Sequence, residues 1–166
     1  MPTNTGTLTV TTPTDREIVL TRVFDAPRSR VFDAFTRPDL LTRWHGPHGW
    51  SLAVCEIDLK AGGAFRFVWR CGTDATTDMG LGGVYREVVP PGRLVHTERF
   101  DVPWYPGECL ITTVLVEHGG KTTFTATLRY ESREARDVVL STPMEHGVAE
   151  AYDKLAELLK CGALYR

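Results

Sequence analysis

The chain has 166 residues, of which 42% are hydrophobic and 24% charged, and its formal net charge is −2. That length suits one domain able to bury a sizeable core without cross-links or metals. The weak charge, with no long run of one sign, argues against a dedicated nucleic-acid surface, and no apolar stretch reaches the roughly 20 residues of a membrane span.

Residues 1–15 are rich in Thr and Pro and carry neither apolar periodicity nor the apolar run of a secretory signal. They are expected to form a flexible lead-in to a single domain over 16–166. The cysteines Cys55, Cys71, Cys109 and Cys161 are widely spaced and make no CxxC pair. With no secretory signal, reduced thiols and a cytoplasmic location are expected.

Order begins at 17–24, Glu-Ile-Val-Leu-Thr-Arg-Val-Phe, whose β-branched and aromatic residues predict a strand. A helix follows Pro27, with Val31, Phe32, Ala34 and Phe35 as its apolar face, and Pro38 ends it. A second short helix is expected over 39–44. The loop His45-Gly46-Pro47-His48-Gly49 then interrupts regular structure.

The middle of the chain predicts strands at 51–59, 64–71, 80–89, 93–101, 108–117 and 121–131, with a polar loop at 72–78. Short Gly- and Pro-bearing turns between consecutive strands mean an antiparallel meander. The last element is a helix of about five turns. Thr142-Pro143-Met144-Glu145 offers a capping hydroxyl, proline at the first helical position and a glutamate three residues on. Met144, Val148, Ala151, Leu155 and Leu158 recur at helical spacing beyond it, and Gly162 supplies a stop. One helix cannot fill the concavity of a strongly bent sheet, so a pocket is expected beside the short helices.

Several local patterns resemble one family: Val23-Phe24-Asp25-Ala26-Pro27, Val31-Phe32-Asp33-Ala34-Phe35-Thr36, Leu41-Thr42-Arg43-Trp44-His45-Gly46-Pro47, Gly62-Gly63-Ala64-Phe65, Gly83-Val84-Tyr85-Arg86-Glu87-Val88, Pro91-Gly92-Arg93-Leu94-Val95 and Glu145-His146-Gly147. In this order they are similar to domains like the activator of heat-shock protein 90 ATPase, within the group of START domains, polyketide cyclases and Bet v-type allergens. The resemblance implies an α+β helix-grip fold. A curved antiparallel sheet of about seven strands would surround the long C-terminal helix, with two short helices after the first strand and a hydrophobic cavity inside. It does not fix one activity. True chaperone activators carry a further N-terminal domain for which this length leaves no room, so the family name is not read as a function. Val148 stands where many relatives carry tryptophan, which would enlarge the cavity.

His96 and Glu98 share a strand face with Leu94 and Phe100 and are the candidate acid–base or ligand-orienting pair. Trp44, Phe67, Trp69, Met144, Val148 and Tyr152 are the remaining candidate ligand-binding residues. Arg66 and Arg70 read as surface ion-pair formers. His45 and His48 flank Gly46-Pro47 with no third ligand near, so no metal is expected. No GxGxxG after a strand, P-loop, HExxH or GxSxG occurs, so no cofactor is expected either. Three functions remain open. The first is binding of a small hydrophobic molecule, and the second a cyclase, dehydratase or hydrolase using His96 and Glu98. The third is a protein-interaction role, such as chaperone assistance or a homodimer, suggested by the aromatics Trp44, Trp50, Trp104 and Tyr105 in or beside loops, which could equally close a pocket mouth.

Overall fold

The computed structural model describes residues 7–160. Cys161 and Gly162 lie outside the described residues. Eight strands form one antiparallel sheet: β1 (Thr9–Thr11), β2 (Glu17–Phe24), β3 (Trp50–Ile57), β4 (Ala64–Cys71), β5 (Asp74–Val89), β6 (Arg93–Phe100), β7 (Cys109–His118) and β8 (Lys121–Arg129). Four helices accompany them: α1 (Arg28–Thr36), α2 (Pro38–Leu41), α3 (Arg133–Leu140) and α4 (Met144–Lys160). The spatial order is β1-β2-β8-β7-β6-β5-β4-β3. β3 to β8 are thus a meander, and β2 closes against its last strand, from Glu17 opposite Arg129 to Phe24 opposite Thr122. The α+β helix-grip class expected from the sequence is the class observed.

Four details differ from the sequence reading. Within the lead-in, residues 1–6 lie outside the described residues, but Thr9–Thr11 pair with Val19–Thr21 and add an eighth strand. Leu8 and Val10 pack against the core, the apolar anchor that the Thr-rich composition conceals. The loop expected at 72–78 is largely strand, because β5 starts at Asp74. Its polar residues pair with the neighbouring strand: Arg70 makes a two-pronged bond to Asp78, and the Cys71 N–H donates to the Thr77 hydroxyl. This tip of the hairpin runs beyond the core and is solvated on both faces, so it lacks an apolar alternation.

The third difference is α3, which the sequence reading leaves out. Ser132 caps it by accepting from the Ala135 N–H at 3.0 Å, and Ala135 and Val139 are buried. A cap serine followed by apolar residues four apart was its available signal. The fourth concerns Thr142. Its hydroxyl donates to the Val139 carbonyl at 2.7 Å, so it secures the end of α3 and does not cap α4. α4 still opens after Pro143, whose carbonyl accepts the Gly147 N–H.

Alternation along the strands decides the inner face. β2 turns Ile18, Leu20, Arg22 and Phe24 inward, and β4 turns Phe65, Phe67 and Trp69 inward. A bulge in β5 between Tyr85 and Glu87 shifts the alternation. Tyr85 therefore faces His96, while Val88 faces Leu94. α4 lays Ala151, Tyr152, Leu155, Leu158 and Leu159 against this surface. Arg22 is inward yet 2% exposed, and it reaches Asp153 of α4 at 2.8 Å.

Candidate functional site

α4 does not fill the concave face. A cavity of about 260 Å³ remains between the sheet, the α2–β3 loop and the first turns of α4. Of the residues singled out from sequence, Phe67, Trp69, His96, Glu98, Met144, Val148 and Tyr152 line it. Trp44 does not. It is 1% exposed in the core, and its indole N–H donates to the Ala34 carbonyl at 3.0 Å. It instead backs a shallower groove that adjoins the cavity through His45, Trp69, Met144 and Val148.

His96 and Glu98 come from β6, where alternation sends both inward opposite Ile111 and Cys109 of β7. Each keeps some accessible surface, and that surface is cavity wall. Burial lowers the His96 pKa to about 4 and raises that of Glu98 to about 7. His96 Nδ1 is sealed from solvent without a hydrogen-bond partner. A buried lone pair costs less than a buried N–H, so the neutral ring carries its proton on Nε2. The Phe65 ring lies edge-on to His96 at 5.2 Å between centroids.

Sequence reasoning missed much of the polar wall. Tyr85, Tyr105 and Tyr130 line the cavity around Glu98, and burial raises the pKa of all three phenols, with the Glu98 charge adding to it. Tyr85 was hidden by the β5 bulge, Tyr105 was read only as a loop aromatic, and Tyr130, although period two in the expected strand at 121–131 aligns it with Phe124, Ala126 and Leu128, was not singled out. His45, considered only as a metal ligand with His48, is a wall residue, whereas His48 is exposed. Gly46 has φ of 115°, and a Cβ there would sit 3.2 Å from the Trp69 ring. That close approach brings His45 under Trp69, whose indole N–H donates to His45 Nδ1. Burial, then the Lys154 charge, lowers the His45 pKa to about 4.

Among the described residues no cluster of three or more His, Cys, Asp or Glu could hold a metal ion. No described helix is long and apolar enough to cross a membrane. Cys55 and Cys71 are half-buried and Cys109 buried, all as free thiols, and burial raises the Cys109 pKa. Arg66 and Arg70 form exposed ion pairs with Asp101 and Asp78. Of the loop aromatics, Trp44 and Tyr105 are buried and Trp50 half-buried, while Trp104 stays 39% exposed.

All of the cavity lining except Leu20 falls within a stretch matched by a known family. The model described as Activator of Hsp90 ATPase homolog 1-like protein matches residues 25–160. The chain belongs to this family. Solved structures similar to this Activator of Hsp90 ATPase homolog 1-like chain cover most of its length. A protein from Rhodobacter sphaeroides is 30% identical with a TM-score of 0.86, covering 93% of this chain and 99% of its own. One from Nitrosomonas europaea is 26% identical with a TM-score of 0.77, over 90% of this chain and 97% of its own. A third, from Mycobacterium smegmatis, is 23% identical with a TM-score of 0.78, over 92% and 97%, and speaks to the fold alone. None of the curated proteins matches the sequence at a significant level.

Proposed function

We propose that the protein binds a small, largely apolar molecule in the cavity between the sheet and α4, with His96 and Glu98 orienting its polar end. The observation that carries this reading is a partly open hollow of about 260 Å³, walled mainly by aromatic and aliphatic side chains with a few convergent polar groups. Membership of the family supports it, because the helix-grip architecture leaves room at this place. Native mass spectrometry of protein purified gently from its own host tests it. The expected result is an adduct of small mass that is shed on collisional activation. A bare mass, together with no binding of neutral naphthalene-sized probes, would overturn it.

A second reading is favoured by the titration of the site. A carboxyl with a pKa of about 7, facing a cavity beside a neutral imidazole, suits proton transfer at ordinary pH. In that reading Glu98 gives or takes the proton and His96 holds the substrate oxygen through Nε2–H. Incubation with host small-molecule extract, followed by mass profiling, separates the two. Turnover by the wild type that disappears in Glu98→Gln supports catalysis, and unchanged profiles remove it.

A further inference from the structure

Glu98 presents an unusual imbalance of charge. Among the described residues lining the cavity there is no Lys and no Arg, and Glu98 is the sole carboxylic acid. Its cross-strand neighbour is Cys109, a buried thiol that cannot neutralise it. The charged arginine on the inner face of β2, Arg22, is committed to Asp153 and does not line the cavity. A buried carboxylate left without a counter-charge costs several kcal/mol. The structure thus offers one negative charge with nothing in the wall to balance it.

The groups around it are suited to a cation. The aromatic rings of Phe65, Tyr85, Tyr105, Tyr130 and Tyr152 share the same cavity. The charge of Glu98 is felt by the tyrosines on β5, on the β6–β7 loop, after β8 and on α4. Ring faces attract a cation, and phenolic oxygens accept its hydrogen bonds. An anionic head group finds the reverse: one like charge and no base to bind it. A neutral hydroxyl would give Glu98 one hydrogen bond but leave its charge uncancelled.

We propose that the cavity is built for a hydrophobic amine, whose ammonium group pairs with Glu98 inside this ring of aromatic side chains. This rests on the reading of the cavity as a binding site and names the class of its ligand.

The test compares two probes of nearly equal shape, 1-naphthylmethylamine and 1-naphthylmethanol, by isothermal titration at pH about 8 and about 5.5. The amine stays protonated at both values. In the cavity wall, His45 and His96 stay neutral at both, and Glu98 changes from ionised to protonated. His48, His118 and His146 are exposed and lie outside the lining, and Lys154, whose charge acts on His45, does not line the cavity. The wild type is expected to bind the amine about tenfold or more tightly than the alcohol at the higher pH. That ratio should fall towards one at the lower pH, and also in Glu98→Gln at either pH. Alcohol bound as well as amine at the higher pH would overturn the amine preference while leaving the binding cavity in place. Neither probe binding would overturn the cavity reading and this inference together. The wild-type pH comparison needs no variant, so a poorly folded Glu98→Gln does not blunt the test.

Discussion

The indole N–H of Trp69 donates to Nδ1 of His45 across 3.2 Å, joining β4 to the loop that follows α2. Because Nδ1 accepts, the neutral imidazole carries its proton on Nε2. Trp69→Phe keeps an aromatic ring in the wall but removes the donor. It should cost about 1 kcal/mol of stability and release the tautomer preference. Long-range nitrogen–proton correlation spectra of the His45 ring should show one tautomer in the wild type and a mixture in the variant.

Val148 contributes a half-buried side chain to the cavity from the first turns of α4. Val148→Trp would place an indole in the hollow. Naphthalene-sized probes should then bind at least about tenfold more weakly, while the melting temperature holds or rises, since filled space restores lost contacts. Titration and calorimetry on the same sample check both halves. A variant that keeps full affinity would put the ligand elsewhere.

The displaced titration of Glu98 has a definite sign. Between about pH 4.5 and about pH 7 the folded protein holds a proton on Glu98 that the unfolded chain has lost. Stability from this group is therefore present below that window and falls as pH rises through it. Glu98→Gln removes the loss, so its stability relative to wild type should grow by roughly 1–3 kcal/mol between pH about 5 and about 8. His45 and His96 act oppositely. Each is neutral when folded down to about pH 4, so acid erodes stability as pH falls from about 6.5 towards 4. Urea unfolding across this range reads both slopes.

Arg22 and Asp153 form a lopsided pair: the arginine side chain is 2% exposed and the aspartate 62%. Arg22 Nε has no hydrogen-bond partner, and its guanidinium lies 5.3 Å from the Phe24 ring centre. Asp153→Ala should cost about 1–3 kcal/mol despite its exposure, because it strands the buried charge. Arg22→Leu, which removes that charge, should be closer to neutral. Denaturant melts of the two variants decide the order.

Gly83 faces the β6 backbone so closely that an added methyl would overlap the Thr97 carbonyl. Gly83→Ala should push β5 away from β6 and lower stability by about 2 kcal/mol or more. The loss should appear as faster amide exchange in both strands.

The sequence made the strands legible wherever one face meets the core and the other meets water. Alternation in β6 alone is enough to put Leu94, His96, Glu98 and Phe100 on the cavity side. It failed where that condition fails. The tip of the β4–β5 hairpin is wet on both faces, so it read as a loop. The β5 bulge breaks the period, so Tyr85 was not connected to His96. Trp44 looked like a ligand-binding residue because it stands beside a loop. Its burial depends on a hydrogen bond to the Ala34 carbonyl, which no local pattern displays. Spacing within one strand brought His96 and Glu98 together. The contributions of Tyr105 and His45 depend on how separate loops meet in space, whereas Tyr130 continues the inward alternation of Phe124, Ala126 and Leu128.

The pairing of β2 with β8 has a consequence for biosynthesis. Glu17 sits opposite Arg129, so the sheet becomes whole only when segments more than a hundred residues apart meet. A nascent chain leaving the ribosome can pair β2 with the short β1, but its other edge must stay unpaired until β8 has emerged. The hollow is therefore among the last features to form, and any small molecule that occupies it would favour a finished chain over a partial one.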